Sequence, residues 1–152
     1  MFITTYEDVA DFLQAAEPFL AQDEATNGLM LGIALRLRRA PDLVRTPPFL
    51  ATVQDGGAIA LAVLMTPPNN IILAGDPPAL SDPFAILARH LLSRNWNIPG
   101  VIAPMRLADR FAETWAADTG ARCHLTGRLR VYELRQVRPI RHSSGRLRLA
   151  AL

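Results

Sequence analysis

Residues 49–74 read FLATVQDGGAIALAVLMTPPNNIILA, and this stretch decides the fold. It contains three apolar runs, at residues 49–53, 58–66 and 71–74, which are separated by two turn signals. The sequence Asp-Gly-Gly at residues 55–57 supplies the positive φ that a tight hairpin needs, and Pro-Pro-Asn-Asn at residues 67–70 breaks the chain again. The stretch therefore predicts a meander of three antiparallel strands.

Two helices and a short strand are expected before the meander. Residues 2–5 predict the strand, and Thr5 with Asp8 resembles a capping box that opens the first helix. An apolar face with helical spacing follows at Val9, Phe12, Leu13, Ala16, Phe19 and Leu20. The next helix, around residues 29–37, is apolar on nearly every side. We therefore expect it to lie inside the structure or under a partner.

After the meander, the pattern predicts a helix, a strand, a helix and a final extended region. Asp82 and Pro83 are typical of a helix start, and residues 101–103 are short and apolar, as in a buried central strand. A further helix with the stripe Leu107, Ala108, Phe111 and Trp115 should end near Gly120. From residue 122 to 137 apolar residues alternate with Arg, as in Leu129 and Val131, which predicts strands packed by residues such as Tyr132.

Length and composition describe a single domain with a substantial core. The chain has 152 residues, of which half are apolar and a fifth are charged. Its apolar runs are shorter than the roughly 18 residues of a membrane span, and the N-terminus carries no basic signal region, so we expect a cytoplasmic protein. The single cysteine, Cys123, can form no internal disulfide, and we expect a small, partly buried side chain.

Charge divides the chain unevenly. Residues 1–121 carry eight Arg against thirteen acidic residues, a net charge of −5, whereas residues 122–152 carry eight Arg against Glu133 alone, a net charge of +7. These arginines come singly among apolar residues rather than in a block. That spacing favours strands over nucleic-acid binding, and nucleic acid is an unlikely partner.

The order of these elements resembles the GNAT acetyltransferase superfamily. More specifically, four segments look like the N-terminal half of two-domain bacterial GNAT proteins: NGLMLGIALRL, GVIAP, FAETWAADTG and LRVYELRQVRP. The resemblance implies a mixed α/β (α+β) fold, with a mostly antiparallel central sheet flanked by about four helices. It also implies a GNAT-like N-terminal domain at residues 1–140. Residues 141–152 would then be a linker and the start of a C-terminal catalytic domain.

A GNAT domain holds the pyrophosphate of coenzyme A on backbone amides of a glycine-rich loop that opens its central helix. The corresponding segment here is GDPPALSDPF, at residues 75–84. Its three prolines lack an N–H, and Asp76 and Asp82 place negative charge where phosphates would sit. Gln54 and Gly57 have the spacing of the loop motif, but they lie in the predicted hairpin. We therefore expect no cofactor-binding residues and no bound cofactor in this chain, with acetyl-CoA implied only for an intact protein.

Catalytic and metal-binding candidates are weak, and we assign no catalytic and no metal-binding residue. The last predicted helix has no tyrosine to serve as the acid, and Glu113 and Asp118 are better explained as solvent-facing carboxylates. The histidines at 90, 124 and 142 are scattered, and Cys123 and His124 are neighbours that would face opposite sides of a strand. Asn27 with Gly28 matches the acceptor groove of GNAT proteins, although a helix N-cap is the simpler interpretation.

These observations leave three hypotheses. The preferred one is a non-catalytic GNAT-like domain that packs against a C-terminal GNAT domain in cis, or against a homodimer partner, and shapes the acceptor pocket. The second is a self-sufficient acetyltransferase whose arginine side chains replace the missing amides. The third is a binding module that uses its basic C-terminal region.

Overall fold

The structure is a computed structural model that describes residues 1–76, 82–137, 139 and 145. The expected linker and domain start at residues 141–152 therefore lie outside the described residues, apart from Gly145. The described part of the chain forms a mixed α/β fold, as the sequence predicts. Its strands and α-helices, in chain order, are β1 Phe2–Tyr6, α1 Val9–Leu20, α2 Glu24–Arg39, β2 Phe49–Asp55, β3 Ala58–Met65, β4 Ile71–Ala74, α3 Pro83–Ser93, β5 Val101–Ile102 and α4 Met105–Thr119.

One sheet organises the fold, with strand order β1-β2-β3-β4-β5. The first three pairings are antiparallel, and only β4 with β5 is parallel. The predicted meander is confirmed, and its hairpin turns at Gly56 and Gly57, which both have positive φ. The turn between β3 and β4 contains a cis peptide bond between Pro67 and Pro68.

Helices cover both faces of the sheet and create two separate cores. One face packs against α3 and α4, and the other packs against α1 and α2. Because strand side chains alternate between faces, neighbours such as Leu50 and Ala51 belong to different cores. The core on the α3 and α4 side includes Leu61, Val63, Phe84, Leu87, Leu91 and Phe111; the core on the α1 and α2 side includes Phe12, Leu13, Leu20, Met30, Leu50 and Leu64.

The helix starts differ in detail from the expected caps. Strand β1 runs on to Tyr6, so Thr5 is not a cap, and Asp8 is the N-cap of α1. In α2 the N-cap is Asp23, whose pKa is held below its ordinary value by hydrogen bonds from the side chain and backbone of Thr26. The interpretation of Asn27 as an N-cap is therefore wrong. Its side chain instead donates to the Leu20 carbonyl at the end of α1.

The second helix, which looked apolar on every side, buries one face in the core. Met30, Leu31, Ala34 and Leu37 are buried, whereas Leu29 is 49% exposed. The remaining surface is interrupted by glycine and, toward the C-terminus of the helix, by three arginines. The apolar face of α2 is therefore covered by the rest of the chain over most of its length, and the surface around Leu29 remains exposed.

The largest difference from the sequence expectation lies after Gly120. Residues 121–137, called the arm below, are described without helix or strand, and every one of them is exposed. The prediction of strands at residues 122–137 is therefore wrong for this structure. As a result, β5 is an edge strand with Ile102 37% exposed, and the expectation of a buried central strand at residues 101–103 is also wrong.

Candidate functional site

The N-terminus of α3 is the place where the resemblance puts a pyrophosphate. The Asp82 carboxylate accepts a hydrogen bond from the backbone N–H of Ala85 at 3.3 Å. Pro83 is the first helical residue, is buried and has no N–H to offer. A helix N-terminus binds an anion through free amides and its positive dipole end. Here the Asp82 carboxylate takes the place of a bound anion, so the Ala85 amide is already engaged.

A groove of 710 Å³ lies beside this helix start, between α3 and α4. Its charged lining consists of Arg89 with Asp82 and Asp118, and its remaining lining includes Leu92 and Thr114. Two carboxylates and one guanidinium give the lining a net negative charge. A diphosphate entering this groove would meet repulsion from two of its three charged groups.

A second groove, of 410 Å³, lies between α2 and the β4–β5 edge of the sheet. Leu29, Ile33, Ile72 and Ile102 form its apolar wall, and Thr66, Asn69 and Asn70 supply polar groups. The Asn69 side chain is already engaged by the Thr66 carbonyl at 2.9 Å. Because no described strand lies beyond Ile102, this groove is open at the sheet edge among the described residues. Its lining suits an apolar or amide-bearing partner better than a charged substrate.

The residues singled out in the sequence do not come together. Glu113 is exposed on α4, and Asp118 lines the groove between α3 and α4. Tyr132 is 81% exposed in the arm, so the expectation that it packs is wrong. His90 lies in α3, while His124 lies in the arm and His142 lies outside the described residues. No group of three or more His, Cys, Asp or Glu side chains that could hold a metal ion occurs in the described part of the chain.

Cys123 differs from its expected environment. It is exposed, and its thiol lies 3.7 Å from the carbonyl oxygen of Ala112 on α4. The expectation of a partly buried side chain is therefore wrong. This contact shows that the first residues of the arm run back along α4 after the left-handed C-cap at Gly120.

His90, on α3, packs against an aromatic ring of the sheet. Its ring lies 5.8 Å from the ring of Phe49, measured between centroids. Partial burial, with a smaller contribution from the positive charge of Arg94, lowers the pKa of His90 below its ordinary value. A histidine that favours its neutral form against an aromatic ring is a packing residue, and no carboxylate of the described residues forms an ion pair with its ring.

The two grooves are not predicted as sites from the sequence, whereas the arm belongs to the basic C-terminal region that the third hypothesis names as a binding surface. The groove residues Arg89, Leu29 and Ile102 look like ordinary surface and core positions in their patterns. The spacing of the arginines in the arm is the one sequence signal in these three regions, and it predicts strands of the sheet rather than an exposed segment.

The chain matches no family model, no curated protein and no solved structure. No helix in the described ranges is long and apolar enough to cross a membrane.

Proposed function

We propose that this chain is a non-catalytic GNAT-like domain of an acetyl-CoA-dependent N-acetyltransferase, which packs against the catalytic domain and shapes its acceptor pocket. The observation that carries the non-catalytic part is the start of α3. The Asp82 carboxylate accepts the hydrogen bond of the Ala85 amide, and Pro83 has no N–H to donate. Both residues lie at the place where the resemblance locates the coenzyme A pyrophosphate.

The packing role is supported by an open apolar surface. The groove between α2 and the sheet edge exposes Leu29 and Ile102. Contiguous exposed apolar surface marks an interaction site, because a protein gains free energy when a partner removes it from water. The groove at the sheet edge is the surface that would wall off part of a neighbouring acceptor pocket.

The alternative of a self-sufficient acetyltransferase is favoured by one observation, the position of Arg89 in the 710 Å³ groove beside α3. A guanidinium can bind a phosphate in bidentate geometry without help from backbone amides. The flanking carboxylates of Asp82 and Asp118 work against this, which is why it ranks second.

Isothermal titration of the full chain with acetyl-CoA separates the two proposals. We expect no measurable binding, because at the described start of α3 the Ala85 amide is engaged, Pro83 has no N–H and the charged lining of the groove is net negative. Micromolar binding that is lost in Arg89→Ala but kept in the matched surface variant Arg94→Ala would replace the preferred proposal with the alternative. Arg94 is exposed and does not line the groove, so it controls for loss of charge alone.

The third possibility, a binding module with a basic region, has a separate test. The arm carries Arg122, Arg128, Arg130 and Arg135 against Glu133 alone. We expect titration with a generic oligonucleotide at low salt to give no binding, because these arginines come singly among apolar residues rather than in a block. Binding that weakens steeply with salt would instead favour the module.

A further inference from the structure

The arm is the most exposed apolar segment in the described part of the chain. Six of its side chains are large, apolar and between 61% and 89% exposed, namely Leu125, Leu129, Val131, Tyr132, Leu134 and Val137. Over residues 128–131 they alternate with arginines, so an extended arm would present Leu129 and Val131 on one face and Arg128 and Arg130 on the other. Such a segment has the composition of a strand and lacks a neighbouring strand.

Strand β1 offers the longer open edge of the sheet. All five of its residues pair with β2 on one side, and no described strand lies on its other side. The opposite edge, β5, contains only Val101 and Ile102. An edge strand presents unpaired N–H and C=O groups that can pair with another chain. Phe2, at the start of β1, is 53% exposed and adds an apolar contact to this edge.

The charges of the two segments are complementary. Residues 1–35 contain six acidic side chains and no Arg or Lys, while the arm contains four Arg and one Glu. Three of the acidic residues, Glu7, Asp8 and Asp11, directly follow β1 and are exposed. An arm beside β1 would therefore bring its arginines to the most acidic part of the fold.

We propose that the arm of one copy pairs as an antiparallel strand with β1 of a second copy, and that the exchange is reciprocal. In the antiparallel direction Arg128 and Arg130 lie at the end of β1 where Glu7 and Asp8 follow, and Leu134 lies at the end that starts with Phe2. A two-fold dimer pairs both arms at once, because each chain carries one arm and one open β1 edge. This assembly goes beyond the proposed function and does not depend on any acetyltransferase chemistry.

The backbone pairing is tested with the full chain by sedimentation or by light scattering, from low micromolar to submillimolar concentration. The parent chain should form a concentration-dependent dimer. Val131→Pro combined with Tyr132→Pro should abolish it, because the N–H groups of adjacent strand residues point to opposite sides, so one of the two lost N–H groups faces β1. Val131 and Tyr132 are 61% and 81% exposed, so the packed core is untouched. The matched control Val131→Thr combined with Tyr132→Thr keeps both N–H groups and should remain dimeric.

The electrostatic part is tested by charge reversal and rescue. Arg128→Glu with Arg130→Glu should weaken the dimer roughly tenfold or more, as loss of several rim ion pairs does. Glu7→Arg alone should also weaken it, and the triple variant should recover part of the loss. Recovery distinguishes direct apposition from a general effect of net charge.

The direction of pairing is tested by cross-linking in a Cys123→Ser background, which removes the single native thiol. Phe2→Cys combined with Leu134→Cys should give a covalent dimer on mild oxidation, which non-reducing electrophoresis detects. A disulfide closed within one chain would overturn the proposal, since the arm would then fold back on its own sheet. A monomer at all concentrations, or a dimer that survives the double substitution Val131→Pro with Tyr132→Pro, would also overturn it. These outcomes leave the acetyl-CoA titration unaffected, so the two proposals fail separately.

Discussion

Strand β3 and the arm both have a sequence pattern that predicts a strand, but they end in opposite environments. Leu61 and Val63, in the continuous apolar run of β3, are fully buried, whereas Leu129 and Val131, which alternate with arginines along the arm, are 89% and 61% exposed. Strand β3 is paired on both sides and packed on both faces, and the arm has no such neighbours among the described residues. The pattern therefore indicates the capacity to form a strand, while pairing depends on an available edge.

The sharpest test of this comparison is one substitution made in both segments. Leu61→Ala should lower the free energy of unfolding by about 2–5 kcal/mol, because it leaves a cavity in the core beneath α3 and α4. Leu129→Ala should change it by less than about 0.5 kcal/mol, as for an exposed site. Urea denaturation followed by circular dichroism, at a concentration where the chain is monomeric, measures both. Similar losses in the two variants would mean that the arm is packed in solution.

A smaller effect is expected at the end of the sheet. Gly75 follows β4 with a φ of +152°, and a Cβ there would collide with the backbone carbonyl of Ala60 on β3. Gly75→Ala should cost about 1–3 kcal/mol, because the conformation is strained for any side chain.

Gly28 provides a control of opposite sign. It lies within α2 with nothing near the position of a Cβ, so Gly28→Ala should stabilise the protein by about 0.5–1 kcal/mol. Thermal unfolding ranks the two variants against the parent. If both substitutions stabilised the chain, the close approach between β3 and β4 would be refuted.

The order of helices and strands from β1 to α4 could be predicted from sequence because the signals that set it are local. The Asp-Gly-Gly turn, the Pro83 helix start and the Gly120 helix end are each set by the conformational limits of one or two residues. All three occur in the structure, and Gly120 has the left-handed φ of 72°. The three-strand meander follows from these turns and from the apolar runs between them.

The arm and the open edges could not be predicted because they depend on which segments meet. Leu129 and Val131 have the right pattern for a strand, but the pattern contains no information about the partner that would pair with them. The exposure of Cys123 follows from the same cause. The grooves lie between elements distant in sequence, such as α2 and β5, so no local signal marks them.

The smallest expected effect is the contribution of His90, on α3, to the pH dependence of the free energy of unfolding. Burial near Phe49, helped by Arg94, lowers the pKa of His90 in the folded state. Above the ordinary pKa of 6.5 both folded and unfolded states hold a neutral imidazole, and His90 has no effect on the pH dependence. As the pH falls below that value, the unfolded state binds a proton that the folded state resists. The free energy of unfolding therefore decreases toward acid until the folded pKa is reached.

Substitution of His90 isolates this contribution. His90→Gln should flatten the decrease in unfolding free energy below pH 6.5, and Arg94→Gln should flatten it less, because burial is the larger cause of the shift. Denaturant titrations at a series of pH values measure the slope, which is independent of any constant loss from the missing ring contact with Phe49. An unchanged slope in His90→Gln would place this ring in water, and the packing of α3 against β2 would have to be looser than the structure describes.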